Sequence, residues 1–200
     1  MKVLLVTDGF FHPPLLGRLF LYNTLRKMQG VSFEHVNSLE KLPSDLKNYS
    51  ALVLHFHHKS ISTMALSNLN QFVQSGGGIL AIHAATASFK ETYSYFNILG
   101  GRFIKHGKIG KIEAINHKSQ IFSNIPNFVV RDELYIHELN DQIMVHFSAR
   151  LEGNDIPIVW THLYGKGRVC YALPGHTTGS MLNPTYKIVL QRALDWVCKR

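Results

Sequence analysis

The stretch from residue 76 to 89 reads as three glycines, a short apolar run, a histidine and then small residues, and it leaves the chain little choice of architecture. Residues 79–82 are continuously apolar, the pattern of a strand covered on both faces. Gly76, Gly77 and Gly78 end the helix before it, while Ala84 and Ala85 are small enough for a backbone that doubles back tightly after His83. The spacing predicts a strand, a sharp elbow and His83 at its tip. In open α/β sheets the carboxyl edge is where ligands bind, and an elbow there exposes one side chain. A buried histidine hydrogen-bonded at a strand end fits the same residues, and this stretch alone supports both readings.

Strands and helices alternate around the elbow. Residues 3–6 form a buried first strand with Thr7-Asp8-Gly9 as its turn, and Leu15, Leu19, Tyr22, Leu25 and Met28 keep a helical stripe up to Gly30. Residues 31–36 alternate as a second strand and residues 51–56 form a third, buried one. Ser60 or Ser62 caps a helix whose stripe is Ile61, Ala65, Leu69, Phe72 and Val73. Short loops between such units demand parallel pairing with right-handed crossovers, so the first half is a doubly wound α/β sheet with the elbow at its centre. Downstream, residues 93–99 make a short helix ended by Gly100-Gly101, residues 109–115 a flanking strand, and residues 128–139 a β-like run carrying Asp132, Glu133 and Tyr135. Residues 156–163 and 168–173 flank Gly165-Lys166-Gly167 as a hairpin expected to extend or cover one edge of the sheet. Asn183-Pro184 opens the last helix as N-cap and first helical residue.

With 200 residues, 46% apolar and 17% charged, the chain suffices for one sizeable core, and no repeat or linker divides it, so a single domain over residues 1–200 is expected. The start runs too quickly into Asp8-Gly9 for a signal peptide and no apolar run reaches membrane-spanning length, which predicts a cytoplasmic protein with no membrane partner. Cys170 and Cys198 show no metal or redox spacing. The net charge of +8 is scattered, with its densest run at Lys105, Lys108 and Lys111, and no nucleic-acid-binding motif accompanies it, so nucleic acid is not an expected partner.

The twelve histidines fall mostly at expected strand ends. His83, His106, the Asp132-Glu133-Leu134-Tyr135 run and His176 can meet at one sheet edge as a general acid/base site. Glu133 is the preferred partner, since a carboxylate beside an imidazole orients it and raises its pKa. Asp132 and Glu133 are neighbours in a strand and should point to opposite faces, which argues against a two-carboxylate glycosidase. His83, His106, His176 and Glu133 are also suitable metal ligands, but no close ligand pair anchors such a site, and the metal question stays open here.

Six segments occur in the order of a known family: three glycines and His83-x-Ala85, then Leu99-Gly100-Gly101-x-Phe103-x-x-His106, Asp132-Glu133-x-Tyr135, Pro157-Ile158-x-Trp160, Tyr164-Gly165-Lys166-Gly167-Arg168-Val169, and Gly175-His176-Thr177. The chain thus resembles ThuA-like (trehalose utilisation) proteins over nearly its whole length. The resemblance implies a flavodoxin-like doubly wound sandwich of the class I glutamine amidotransferase type, with a mainly parallel central sheet, a C-terminal hairpin, and histidine where an amidotransferase has its elbow cysteine. Amide hydrolysis through a thioester needs a thiolate, so amidotransferase activity is not expected. It also implies carbohydrate metabolism, with a sugar or oxidised (keto) sugar as partner; no cofactor is expected, and a homo-oligomer is compatible with this reading. His83, Glu133 and His176 are the expected catalytic residues, with Asp8, His12, His106, Asp132 and Tyr135 binding substrate. A non-catalytic sugar-binding or interaction module, or a metal-dependent enzyme using the same histidines, are the alternatives. Two departures from the family pattern are His106-Gly107 in place of His-Pro, and an N-terminal histidine-rich loop represented only by His12.

Overall fold

The computed structural model describes residues 1–8 and 14–199, with the backbone alone at 14–16. In chain order the elements are β1 (Lys2–Thr7), α1 (Pro14–Lys27), β2 (Ser32–Val36), β3 (Ala51–His55), α2 (Thr63–Gln74), β4 (Gly78–Ile82), α3 (Tyr93–Leu99), β5 (Gly101–His106), β6 (Gly110–Asn116), β7 (Phe128–Asp132), β8 (Tyr135–Leu139), β9 (Met144–Leu151), β10 (Asn154–Tyr164), β11 (Gly167–Ala172), α4 (Thr178–Leu182) and α5 (Pro184–Val197). Local chemistry sets the helix ends. Ser62 Oγ accepts from Ala65 N at 3.1 Å to start α2, and Asn183 Oδ1 accepts from Tyr186 N at 3.0 Å with Pro184 following it to start α5. Gly100, at φ 74, closes α3 in the left-handed conformation that glycine adopts without penalty.

One nine-stranded sheet dominates, in the order β2-β1-β3-β4-β11-β10-β9-β6-β7, with β5 and β8 paired as a separate two-stranded sheet. From β2 to β11 every pairing is parallel, and from β11 to β7 every pairing is antiparallel. The parallel half reads as apolar runs because helices cover it: β3 and β4 are buried at every residue, each buried Leu or Ile contributing about 1.5–3 kcal/mol. Helix α4 touches both α1 and α5, while α2 touches α3.

The hairpin expected at an edge lies in the middle of the sheet instead. Strand β11 pairs parallel with β4 on one side and antiparallel with β10 on the other, so the turn between Tyr164 and Gly167 joins the two halves. The reason is burial: Val169 to Ala172 and Ile158 to Trp160 are apolar on both faces and inaccessible, which suits interior strands. The edges fall to β2 and β7, and β7 alternates between buried and exposed residues.

A second difference concerns the β-like run at residues 128–139, which is two strands in two sheets. The pairing breaks at Glu133 and Leu134, so β7 stays with β6 while β8 crosses to β5. That break lies beside the elbow. Among the described residues no helix is long and apolar enough to cross a membrane.

Candidate active site

His83 stands where β4 ends. Ile82 is still extended, and His83 itself has φ 48, a left-handed conformation that costs a non-glycine residue about 1 kcal/mol or more. The surroundings hold it there: the His83 carbonyl accepts from Thr86 Oγ1 at 3.2 Å and from the Tyr171 hydroxyl at 3.1 Å. Gly175 packs so close that a Cβ on it would lie 2.7 Å from His83 Cβ. The elbow does not expose its side chain as anticipated, because His83 is 0% accessible.

Its ring is oriented by groups that leave one tautomer. Nδ1 lies 3.0 Å from the Leu173 carbonyl, which can only accept, so Nδ1 carries the hydrogen and Nε2 keeps its lone pair. Tyr135 donates its hydroxyl to Nε2 across 2.9 Å. Burial first, then the neighbouring Tyr171 and the Glu133 and Asp132 carboxylates, push the Tyr135 phenol far above its ordinary value, so it remains a neutral donor.

The two acids flank the same imidazole. Asp132 Oδ1 is 3.8 Å from His83 Nδ1 and Glu133 Oε2 is 3.8 Å from Nε2. The expectation that they face opposite ways fails because Glu133 lies in the break between β7 and β8, outside the alternation of a strand. Their roles nevertheless diverge. Asp132, placed by the sequence among substrate-binding residues, is 0% accessible and its oxygens are taken: they accept from Glu133 N at 2.8 Å, Gly175 N at 3.0 Å, His176 N at 3.2 Å and the Ser180 hydroxyl. Burial raises its pKa, against the opposing pull of these donors. Asp132 therefore positions the loop of Gly175 and His176 and has no face left for a substrate.

Glu133 is the group on which the others converge. Its side chain is 12% accessible, with Oε2 3.2 Å from His176 Nδ1 and Oε1 3.5 Å from His106 Nδ1. His176 is 22% and His106 43% accessible at the side chain, so the cluster opens to solvent on their side. Asp8, at the end of β1, pairs with His58 at 3.5 Å, and His12 lies outside the described residues.

Sequence reasoning missed several supporting groups. His137 Nε2 lies 3.0 Å from Thr86 Oγ1, its ring packs edge-on against the stacked pair of Trp160 and Tyr171, and burial drives its pKa down to about 3, so it is neutral. The signal was period two: His137 shares a strand face with Tyr135. His55, at the end of β3, donates Nε2–H to the Gly175 carbonyl at 3.1 Å, and burial lowers its pKa as well.

A cleft of about 830 Å³ lies at the other end of the parallel strands, lined among others by Ser50, Phe72, Gly77, Val197 and Lys199. It brings no histidine to a carboxylate, so chemistry rather than size assigns the candidate site. Beside the cluster lies a narrow crevice walled by Gly17, His55, Gly175, His176, Thr177, Thr178 and Met181.

The family model of ThuA, described as trehalose utilisation, matches residues 2–197. The chain belongs to the ThuA family. Its fold is that of a ThuA-like protein from Parabacteroides merdae, at 18% identity and a TM-score of 0.88 over 99% of this chain and 90% of that one. A second, from Bacteroides uniformis, matches at 20% identity and TM-score 0.82 over 98% and 90% of the two chains. A Salmonella typhimurium protein described as cytoplasmic matches at 17% identity and TM-score 0.75 over 98% and 99%. No curated protein matches this chain.

Proposed function

We propose that this ThuA protein acts on a sugar or keto-sugar by moving a proton at a carbon or oxygen next to the carbonyl. One observation carries the reading: a single carboxylate, Glu133, has ring nitrogens of His83, His106 and His176 within 3.2–3.8 Å, on a sheet edge that is wet on one side. Such a carboxylate takes a proton while an imidazole gives one. Glu133 and His176 act at the substrate, and the enclosed His83 works through the hydroxyl of Tyr135. His106, half in solvent, hydrogen-bonds substrate hydroxyls, with Asp8 closing the site from the end of the first strand. The family's description as trehalose utilisation supports a carbohydrate as partner.

The parallel strand order β2-β1-β3-β4-β11 supports a flavodoxin-like, amidotransferase-type ancestry for this half. The chemistry has changed with the elbow. Buried Cys170 sits within β11, where burial raises its thiol pKa far from the thiolate range, and Cys198 follows α5 at the opposite strand ends, so neither offers the nucleophile an amidotransferase requires. We place the protein in the cytoplasm by analogy with its Salmonella fold relative.

Sugars and keto-sugars are to be screened by thermal shift, and each binder incubated in D₂O while exchange of its carbon-bound hydrogens is followed by NMR. A binder should raise Tm by mass action and exchange the position next to its carbonyl, with exchange lost in Glu133→Gln. Exchange that persists undiminished in Glu133→Gln, or no binder in the whole panel, would refute the reading.

A further inference from the structure

We infer that His83 Nε2, His176 Nδ1 and Glu133 Oε2 form a site for a divalent first-row transition ion, zinc foremost. The inference rests on reading this cluster as the functional site, but on no particular sugar. The three side chains each offer a ligand atom, and these atoms all lie within 4.8 Å of one another. A tetrahedral ion with bonds of about 2.0–2.2 Å keeps its donors roughly 3.3–3.6 Å apart. The pairs His176–Glu133 at 3.2 Å and His83–Glu133 at 3.8 Å bracket that spacing before any ion draws them in.

The tautomer of His83 strengthens the case. Because Nδ1–H is committed to the Leu173 carbonyl, with Asp132 Oδ1 3.8 Å away, Nε2 keeps its lone pair, which accepts the Tyr135 hydroxyl at 2.9 Å and lies 3.8 Å from the carboxylate of Glu133. Metal-binding histidines are commonly held this way, the remote N–H donated to a carbonyl or carboxylate that fixes the ring and raises its basicity. His176 is placed with equal care, its backbone N–H and that of Gly175 both anchored to Asp132. His106 is excluded from the ligand set: its Nδ1, the atom nearest Glu133, carries the hydrogen donated to the Gly107 carbonyl at 2.7 Å.

Two imidazoles and one carboxylate suit zinc, iron or nickel better than magnesium or calcium. They leave positions toward the His106 side for water or the oxygens of a sugar, where an ion polarises a carbonyl as a Lewis acid. With the ion bound, Tyr135 gives up its bond to Nε2, while Glu133 keeps its second oxygen, Oε1, 3.5 Å from His106, and His176 keeps Nε2 for the proton that the proposed reaction moves.

The test uses full-length protein without a histidine tag, stripped with a chelator and titrated with Zn²⁺ and, for its visible spectrum, Co²⁺. One ion per chain should bind, with a rise in Tm and a cobalt absorption of low coordination number. His176→Gln and Glu133→Gln should each weaken binding at least tenfold while leaving the Tm of the stripped protein close to that of the parent, and His106→Gln should bind as the parent does. No stoichiometric binding, or binding undiminished in both ligand variants, overturns the inference. Sugar binding to the stripped protein is measured separately, so failure of the metal site and failure of the sugar reading give different results.

Discussion

Two histidines of this protein, His83 and His146, are both completely buried and both have each ring nitrogen engaged, yet they sit in opposite chemical settings. His146, on β9 in the antiparallel half, has only hydroxyls for partners: Ser119 Oγ at 2.6 Å from Nδ1 and Thr161 Oγ1 at 2.7 Å from Nε2. Burial, aided by the nearby His117, drives its pKa down to about 4, so it stays neutral and ties strands together. His83, at the end of the parallel half, has a carboxylate 3.8 Å from each nitrogen, and one of those acids reaches solvent. If His83 acts as proposed, burial and saturated hydrogen bonding do not separate a structural histidine from a functional one. Charge partners and an opening to water do.

The comparison is broken most directly by activity. Glu133→Gln should lower turnover of the true substrate by at least about 100-fold, the scale of a lost proton-transfer group, while the urea midpoint stays close to that of the parent. His146→Ala should show the reverse pattern. Activity per folded molecule should be unchanged, with stability reduced by about 2–4 kcal/mol for two lost hydrogen bonds and a cavity beside Phe122. If His146→Ala lost activity at constant stability, the division between the clusters would be wrong.

Acid sharpens the contrast. The folded-state pKa of His146 lies below the unfolded value near 6.5, so its contribution to stability is complete above about pH 6.5 and is lost as pH falls toward 4. Within that window the unfolded chain binds a proton that the folded one refuses, and His137, with a folded pKa of about 3, acts in the same direction. Urea midpoints should therefore fall between pH 7 and pH 5, and His146→Gln should flatten part of that slope, at most about 1.4 kcal/mol per pH unit for one group. An equal slope in parent and variant would contradict the assignment. The smallest effect belongs to His106→Gln at the open rim: a rise in KM of about two- to tenfold with no change in melting temperature, read by steady-state kinetics and calorimetry.

By itself the sequence determined the strands and helices of the parallel half and the turn after β4, because these depend on neighbours along the chain; the strand β5, the helix α4 and the split of β7 from β8 were not legible in it. The apolar run at 79–82, the caps Ser62 and Asn183, and the helix-ending Gly100 are local signals, and each is found where the pattern placed it. It also named His83, Glu133 and His176, through strand ends and family motifs rather than through any contact it could display. Which groups meet was decided by the tertiary structure. The hairpin of β10 and β11 lies mid-sheet because a strand's place in the order depends on what covers both its faces, and alternation within it does not say. Breaking the run at Glu133 and Leu134 sent β7 and β8 to different sheets, which turned two adjacent acids toward one imidazole. The same long-range packing made Asp132 a positioning residue and brought in His137, Tyr171 and His55, none of them adjacent to the elbow in sequence. Contacts between residues 50 to 90 positions apart are set by how sheets and helices fill space, a constraint that no local pattern of residues records.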